Sequence, residues 1–402
     1  MSSADVDSLF TKPCSFCVLP WLQTYASIDG LFARCGADNS QFSDLYESEV
    51  KPAMKMQPEA LGCIQGSPYA ADNPDRVESL RSAFNAAALR RTRVRMLAGE
   101  PVDACAHCHH QEAQSGRSLR TVYNAQFADK FDWGELLAKT GPEGHVEHKP
   151  IELDLRLGNA CNLHCQMCSF PVSSSWRRST PSWHQGAVID PYTKDAQFWA
   201  DLRALAPHLQ RISLAGGEPF LQGGHLPLLK LLIEERSAQN IHLIYTSNLT
   251  VLPKGVFELW PQFKQVSVAA SCDGYGAVFE KIRCGGKWEV FAANVLEVKK
   301  RTTLKLVTTV QKDNLPFMDE LVAWAHEIQA PLDLKNILTW PKSMSIAVMG
   351  TSELEQCHST LARLAGVYEA KGNAGLVKEL IQLGRVIQTL LAGRGPAPDA
   401  SS

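Results

Sequence analysis

The chain has 402 residues, of which 45% are hydrophobic and 20% are charged. This composition is typical of a globular protein of two or three domains and argues against a low-complexity chain. Its 40 Lys and Arg side chains nearly balance 42 Asp and Glu, so the net charge of −2 does not favour nucleic acid or an anionic membrane as the main partner.

The sequence favours a cytoplasmic protein. Its first ten residues, M-S-S-A-D-V-D-S-L-F, lack the basic region and the apolar run of a signal peptide. No stretch reaches the roughly 18 apolar residues of a membrane span, so we expect no membrane partner. Disulfides are disfavoured in a reducing cytosol, and the twelve cysteines therefore need another explanation.

Most of the cysteines fall in short clusters, and clustering of this kind indicates metal binding. The clustered positions are Cys14, Cys17, Cys35, Cys105, Cys108, Cys161, Cys165 and Cys168. The remaining four are interpreted as small buried hydrophobic side chains, namely Cys63, Cys272, Cys284 and Cys357.

Residues 1–120 are predicted to form a small cysteine-rich domain with a β-hairpin and a helix. The hairpin lies within residues 21–35 and turns at Asp29-Gly30, because Asp-Gly between apolar runs favours the positive φ angles of a tight turn. Helical sequence follows at roughly 75–98. Residues 121–150, which include K-T-G-P-E-G-H-V-E-H-K-P, are interpreted as a linker.

From residue 151 to 345, short β-rich runs alternate with helical stretches, which is typical of a parallel α/β sheet or barrel. The six predicted strands are 151–157, 211–215, 242–246, 265–270, 304–310 and 332–338. The predicted helices are 195–206, 225–237, 255–260, 288–301 and 316–328. Six such units fall short of the eight that close a full barrel, so the sequence predicts an α/β fold with a partial (β/α)6 TIM-like barrel.

Residues 346–393 are predicted to hold two C-terminal helices, at 352–371 and 376–392, which Gly372 and Asn373 separate. Residues 394–402 are expected to be a disordered tail.

Polar or glycine-bearing loops follow five successive predicted strands. Ligands of α/β barrels bind beyond the carboxyl ends of the strands, so we expect the chemistry in these loops. In chain order they contain Cys161, Cys165 and Cys168; Gly216, Gly217, Glu218 and Pro219; Ser247 and Asn248; Ser271 and Asp273; and Gln311. Three thiols do not complete a structural zinc site, which takes four ligands. Either a fourth protein ligand joins them, or the fourth position is open for a substrate.

This arrangement resembles the radical S-adenosylmethionine (SAM) enzymes. The C-x-x-x-C-x-x-C triplet at 161–168, G-G-E-P at 216–219 and S-x-D at 271–273 follow the first, second and fourth strands, in the order of that family. The resemblance implies that Cys161, Cys165 and Cys168 hold a [4Fe-4S] cluster and that SAM binds its fourth iron. Thiolate ligands and an open iron agree with this interpretation.

The resemblance also implies a SAM site. Its expected residues are Gly216, Gly217, Glu218, Pro219, Ser247, Asn248, Ser271, Asp273, Arg283 and Gln311. The two glycines lack a Cβ and let the backbone approach the methionine end of SAM, whose ammonium group is assigned to Glu218. Ser271 and Asp273 are assigned to the ribose, and Arg283 to the methionine carboxylate. Met167 stands where most family members have an aromatic residue, which weakens the expected packing against adenine.

The N-terminal cysteines resemble the twitch domain, a shortened relative of the SPASM domain that binds an auxiliary [4Fe-4S] cluster in other radical SAM enzymes. The matching stretches are F-C-V-L-P-W at 16–21, I-D-G-L-F-A-R-C at 28–35 and C-A-H-C-H-H-Q-E at 105–112. The resemblance implies four ligands, Cys17, Cys35, Cys105 and Cys108, and Cys14 competes with Cys17. The alternative is a zinc site on the two C-x-x-C pairs, with His107, His109 and His110 also available.

The family resemblance implies reductive cleavage of SAM to a 5′-deoxyadenosyl radical, which removes a hydrogen atom from the substrate. The expected substrate is a ribosomal peptide or a natural-product intermediate. An electron donor such as flavodoxin or ferredoxin is the expected protein partner. Two alternatives stay open: transfer of an aminocarboxypropyl group from SAM, and a non-catalytic zinc-binding protein.

Overall fold

The structure, a computed structural model, describes residues 16–37, 61–65, 67, 70–71, 77–169, 172–179 and 188–394. Cys14 and positions 395–402 of the predicted tail lie outside these ranges. The chain divides into two compact units: the first comprises residues 1–160, 188–243 and 258–265, and the second comprises 161–187, 244–257 and 266–402. Within the described ranges, none of the helices has the length and apolar character that crossing a membrane requires.

The first unit contains five strands in the order β3-β2-β1-β4-β5. They are β1 (Gln23–Ala26), β2 (Leu31–Ala33), β3 (Gly62–Cys63), β4 (Glu152–Arg156) and β5 (Arg211–Ala215). Its helices are α1 (Leu19–Leu22), α2 (Ala87–Leu97), α3 (Ala106–Ser115), α4 (Leu119–Phe127), α5 (Trp133–Ala138), α6 (Ala196–Leu205) and α7 (His225–Glu234).

The N-terminal hairpin extends the sheet of the first unit. β1 pairs with β2 in antiparallel orientation, and Gly30 in the connecting turn has a φ of +82°, so the predicted hairpin and its Asp29-Gly30 turn are confirmed. β1 also pairs in parallel with β4, which places Tyr25 beside Asp154. Residues 1–120, predicted as a separate domain, therefore share a sheet with the first barrel strand, because the buried strand β1 pairs with β2 on one side and with β4 on the other.

The segment 121–150, predicted as a linker, is partly helical. It contains most of α4 and all of α5. The Asn124 side chain on α4 accepts from the amide of Val18 and donates to the carbonyl of Phe16, both at 3.0 Å. These bonds attach the segment to the cysteine-rich region, so it packs as part of that region and is not a simple linker.

The helix predicted at 75–98 is shorter than expected. Residues 72–76 lie outside the described ranges, a 3-10 turn covers Ala83–Asn85, and α2 begins only at Ala87. Ser79 and Ser82 bind each other's backbone amides through their hydroxyls, at 3.2 and 2.9 Å. Serine side chains that bond to nearby backbone groups compete with helix formation, which accounts for the late start.

The second unit contains most of β6 (His242–Ser247), followed by β7 (Gln265–Ser271), β8 (Thr303–Val310) and β9 (Leu332–Ile337), in the order β6-β7-β8-β9. β8 is parallel to both β7 and β9. The accompanying helices are the first half of α8 (Val256–Leu259), α9 (Gly276–Ile282), α10 (Trp288–Lys299) and α11 (Met318–Glu327). The six predicted barrel strands are thus confirmed, and the mostly parallel α/β arrangement is consistent with a partial barrel.

Two long helices end the second unit, as predicted. α12 (Thr351–Ala370) and α13 (Ala374–Ala392) pack against each other, and Gly372 between them has a φ of +72°. The Glu379 carboxylate of α13 accepts a hydrogen bond from the amide of Leu334 on β9 at 3.2 Å and pairs with Lys335. β9 is the last strand of the order, and within the described ranges no further strand pairs with its outer edge. The α13 carboxylate therefore accepts from a backbone amide of β9 that would otherwise lack a partner strand.

Candidate cluster and cofactor site

The three cysteines of the triplet lie in the second unit, on an irregular loop that begins five residues after β4. Cys165 is buried, whereas Cys161 and Cys168 are half-buried. Burial raises the pKa of Cys165 to about 11 and that of Cys168 to about 12, and the neighbouring thiols of the triplet add to both shifts. These thiols therefore stay protonated near neutral pH unless a metal centre takes the place of the protons.

Two side-chain N–H donors contact the sulfurs of the triplet. Asn248 Nδ2 lies 3.9 Å from Cys161 Sγ, and Arg283 Nη1 lies 3.9 Å from Cys165 Sγ. Asn248 also donates to the Asn162 side chain at 3.1 Å, which fixes it beside the loop. The structure thus places two of the predicted SAM residues against the predicted cluster ligands.

Asp273 and Arg283 bind each other. The Asp273 carboxylate is fully buried, with Arg283 Nη2 at 2.7 Å from Oδ2 and the amide of Thr309 at 2.7 Å from Oδ1. Burial raises the pKa of Asp273, while the Arg283 charge opposes that shift. Arg283 is surrounded by Asp273 and the thiols of Cys165 and Cys272, and its pKa is raised despite burial. The predicted contacts of Asp273 with ribose and of Arg283 with the methionine carboxylate stay predictions.

Gln311 carries an unsatisfied amide in the second unit. Its side chain has no solvent exposure, and neither Oε1 nor Nε2 has a hydrogen-bond partner among the described residues. A buried amide without partners is costly, so this side chain suits a polar ligand. Asn314, which the sequence places in the same loop without a role, accepts from the backbone amide of Gln311 at 2.8 Å and donates to the Asp273 carbonyl at 3.1 Å. It holds the loop of Gln311 against the loop of Asp273.

Ser247 and Ser271 end their strands as predicted. The Ser247 hydroxyl is buried and accepts from the amide of Leu249 at 2.9 Å, so it shapes the turn after β6. Ser271 is the last residue of β7, where it is half-buried and in register with Val307 of β8. Both residues thus lie at the carboxyl ends of strands of the second unit.

The G-G-E-P segment lies in the first unit and packs on the chain that leads to the triplet. The amide of Gly217 donates to the Gly158 carbonyl at 3.0 Å, and that of Glu218 to the Ala160 carbonyl at 2.8 Å. A Cβ on Gly217 would lie 2.4 Å from the Ala160 oxygen. The fully buried Glu218 carboxylate accepts from the amide of Phe220 at 3.2 Å, at the start of the 3-10 turn Pro219–Leu221. The glycines are therefore required by backbone packing within this unit.

The segment that follows the triplet also binds it, a contact that no sequence pattern predicted. The side chains of S-S-S-W, residues 173–176, hydrogen-bond to backbone groups of Cys161, Leu163 and Cys165. Serine-rich stretches usually indicate loops, and no spacing rule connects them to a metal ligand.

The four predicted auxiliary ligands share one pocket of the first unit. It has an empty volume of about 430 Å³, part of it open to solvent, and its lining includes Cys17, Cys35, Cys105, Cys108, Arg34 and Arg120. Burial raises the pKa of Cys17, the thiols of Cys105 and Cys108 add to the shift, and Arg120 opposes it. The three histidines of the zinc alternative do not line this pocket.

No set of three or more His, Cys, Asp or Glu side chains within the described ranges converges to hold one metal ion. The four thiols of the first unit line a common space instead of meeting at a point.

Residues 155–314 match the sequence model of the Radical SAM superfamily. No curated protein matches the sequence significantly. Similar solved structures include Streptococcus suis SuiB bound to precursor peptide SuiA, at 14% identity and a TM-score of 0.42, covering 67% of this chain and 64% of that one. SuiB bound to S-adenosylmethionine is 14% identical, with a TM-score of 0.35, and the match covers 55% of this chain and 45% of that one. TYW1 with a lysine-pyruvate adduct bound is 16% identical, with a TM-score of 0.32, and the match covers 50% of this chain and 68% of that one.

The chain spans 45% to 64% of the length of the SuiB chains it matches. The stretch that matches the superfamily includes the cysteine triplet, the G-G-E-P segment, Asp273, Arg283 and Gln311. The chain therefore contains, at residues 155–314, a region that matches the Radical SAM superfamily.

Proposed function

We propose that Cys161, Cys165 and Cys168 hold a [4Fe-4S] cluster and leave one of its irons open to SAM. When bound, the cluster and SAM supply reductive cleavage to a 5′-deoxyadenosyl radical, which takes a hydrogen atom from the substrate. The proposal is carried by the N–H donors of Asn248 and Arg283, each 3.9 Å from a triplet sulfur. Hydrogen bonds to the sulfurs are among the means by which proteins tune iron-sulfur clusters.

Arg283 compensates negative charge at the thiolates. Deprotonation of three thiols concentrates negative charge in a half-buried loop, and a buried guanidinium beside Cys165 offsets part of it. The fully buried Asp273 carboxylate holds Arg283 in place at 2.7 Å. Loss of either partner would leave an unpaired buried charge, so both act together.

Gln311 supports the proposed SAM site. Its buried amide has no partner among the described residues, and SAM offers donors and acceptors that would satisfy both atoms. As the resemblance implies, the site would also include Gly216, Gly217, Glu218, Pro219, Ser247, Asn248, Ser271, Asp273 and Arg283.

We further propose an auxiliary [4Fe-4S] cluster on Cys17, Cys35, Cys105 and Cys108. Their shared pocket supports it, because four thiolates suffice for such a cluster. Arg34 and Arg120 also line the pocket, and their charges oppose the accumulated negative charge of four thiolates. This site would order the region or take up an electron from the substrate.

The proposed substrate is a ribosomal peptide or a natural-product intermediate, and the proposed electron donor is a flavodoxin- or ferredoxin-type protein. The substrate class follows from the resemblance of the cysteine-rich stretches to twitch and SPASM domains. The donor follows from the electron that reductive cleavage of SAM requires. SAM is cleaved at the bond between sulfur and C5′ in this proposal, and at another sulfur-carbon bond if an aminocarboxypropyl group is transferred.

The test is anaerobic reconstitution with iron and sulfide, followed by reduction in the presence of SAM. We expect broad absorbance near about 400 nm, typical of thiolate-held clusters, and formation of 5′-deoxyadenosine. Methylthioadenosine in its place would establish aminocarboxypropyl transfer and overturn the hydrogen-abstraction proposal. Zinc without iron or visible absorbance would identify the zinc-binding alternative.

A further inference from the structure

We propose that Ser173, Ser175 and Trp176 are positioning residues, which hold the triplet loop in the shape that binds the cluster. Together with Ser174 they form a clamp segment, residues 173–176, that lies in the second unit with the loop it contacts. The inference rests on the proposed function, because it concerns how the same three thiols are placed.

The clamp segment binds the carbonyl groups of alternate residues of the loop. The Ser175 hydroxyl donates to the Cys161 carbonyl at 2.6 Å, and the Ser173 hydroxyl donates to the Leu163 carbonyl at 2.7 Å. Trp176 continues the series, since its indole N–H donates to the Cys165 carbonyl at 3.2 Å. Two of these three carbonyls belong to proposed cluster ligands.

Ser174 adds a contact at the start of the loop. Its hydroxyl oxygen accepts from the amide of Cys161 at 3.2 Å. The ring of Trp176 also packs edge-on against His164, with 6.2 Å between the ring centroids. Cys161 is therefore held through both its amide and its carbonyl by adjacent serines of one short segment.

The opposite edge of the loop is held by the chain after α9. The amide of His164 donates to the Cys284 carbonyl at 3.1 Å, and that of Gln166 to the Ile282 carbonyl at 2.9 Å. The backbone amides of residues 164 and 166 thus bond to the chain at 282–284, whereas the carbonyls of residues 161, 163 and 165 bond to the clamp segment. All the clamp-segment groups that donate to these carbonyls are side chains.

This arrangement matters because the loop has no regular secondary structure of its own. Without the clamp serines, the carbonyls of Cys161 and Leu163 would bond to water, and the thiols would be held less firmly before a cluster forms. Removal of a side chain that orients a metal ligand without binding the metal commonly changes metal affinity by about 10- to 100-fold. We therefore expect the clamp segment to control retention of the cluster more than folding of the unit.

The experiment compares Ser173→Ala/Ser175→Ala with wild type in the full-length reconstituted protein. A chelator is added anaerobically, iron release is followed, and the reduced cluster is examined by electron paramagnetic resonance with and without SAM. We expect the iron held by the triplet to leave about tenfold faster, with a broadened resonance, while the iron of the N-terminal site leaves at the wild-type rate.

Three further variants separate positioning from general damage. Ser175→Thr keeps the hydroxyl and should restore wild-type release. Ser359→Ala removes a comparable bond, from an exposed hydroxyl to the Glu355 carbonyl at 2.9 Å on α12, and should change nothing. Trp176→Phe removes only the indole donor and should give a smaller acceleration, so the inference stays testable if the double variant does not fold.

Unchanged release and an unchanged resonance in the double variant would overturn the inference. That outcome differs from failure of the proposed function, in which the wild-type protein itself would hold no iron at the triplet and would not cleave SAM.

Discussion

At the scale of single residues, Gln311 shows how a ligand can be inferred from a missing partner. Replacement by Leu removes two buried polar atoms that nothing described satisfies. We expect Gln311→Leu to raise the free energy of unfolding of the SAM-free protein by about 1 kcal/mol and to weaken SAM binding about tenfold, since a hydrogen-bonded pair is lost only in the complex. Urea unfolding and equilibrium binding of SAM measure the two effects.

Gln222 provides the matched control for Gln311. It is similarly buried, but its Nε2 donates to the Ala160 carbonyl at 2.8 Å and to the Glu218 carbonyl at 3.0 Å. Gln222→Leu should therefore lower stability by about 1 kcal/mol or more, because two hydrogen bonds of a buried side chain are lost. A Gln311→Leu variant that loses stability to the same extent would show that Gln311 is satisfied without a ligand.

His225 makes the stability of the first unit depend on pH. Burial alone lowers its pKa to about 4, and its ring packs against Phe220 with 5.4 Å between centroids. With a folded-state pKa below the unfolded value of about 6.5, its neutral form contributes fully above pH 6.5, and stability falls as pH decreases toward 4. Between pH 7 and 5 this loss amounts to about 2 kcal/mol.

The His225→Phe variant keeps an aromatic ring and removes the proton-binding site. Denaturant unfolding at pH 7 and at pH 5 should show a smaller acid loss for this variant than for wild type, by about 2 kcal/mol. An equal acid loss in wild type and His225→Phe would contradict the assignment.

At the scale of elements, the G-G-E-P segment supports the neighbouring backbone, whether or not it also binds the proposed cofactor. Gly217→Ala would place a methyl group 2.4 Å from the Ala160 carbonyl oxygen, which belongs to the residue before Cys161. Because backbone cannot yield as a flexible side chain does, the chain entering the triplet must shift. We expect at least about tenfold faster loss of triplet iron even without SAM, measured by chelation.

Gly366 is the matched control for Gly217. It lies within α12, where an added Cβ meets nothing within 4 Å, so Gly366→Ala should stabilise the protein by up to about 1 kcal/mol and leave iron retention unchanged. If Gly217→Ala kept its iron and lost only SAM binding, the segment would act on the cofactor alone.

The elements that sequence patterns predicted well are those whose signal is local. The strand at 211–215 and the Asp29-Gly30 turn follow from short-range residue preferences, and the structure confirms both. The pairing of β1 with β4 joins strands far apart in sequence, and no local pattern specifies that register. The bond between Asp273 and Arg283 likewise depends on how β7 and α9 fold, so spacing identified the residues but not their contact.

The same distinction applies to the triplet and its surroundings. Metal-ligand spacing is visible in a sequence because one loop must supply several donors, whereas supporting side chains bind backbone carbonyls that every residue possesses. The supporting roles of the clamp segment and of Asn314 therefore could not be predicted from residue types, even though each lies close to a predicted ligand.

At the scale of the whole molecule, each proposed cluster has its complete thiol set within one compact unit. Cys161, Cys165 and Cys168 all belong to the second unit, and Cys17, Cys35, Cys105 and Cys108 all belong to the first. Neither set needs a thiol from the other unit. Iron binding at the two sites should therefore be separable, since mutations without shared partners usually act additively.

Iron content of reconstituted variants tests this separation. Wild type should hold about eight irons per chain. The triplet variant, Cys161→Ala/Cys165→Ala/Cys168→Ala, should hold about four, and so should the auxiliary variant, Cys35→Ala/Cys105→Ala. The triplet variant should lose all SAM cleavage, whereas the auxiliary variant should retain a SAM-dependent change in the resonance of the reduced triplet cluster. About one zinc and no iron in the triplet variant would instead assign the N-terminal thiols to zinc, because the same four thiolates complete a tetrahedral zinc site.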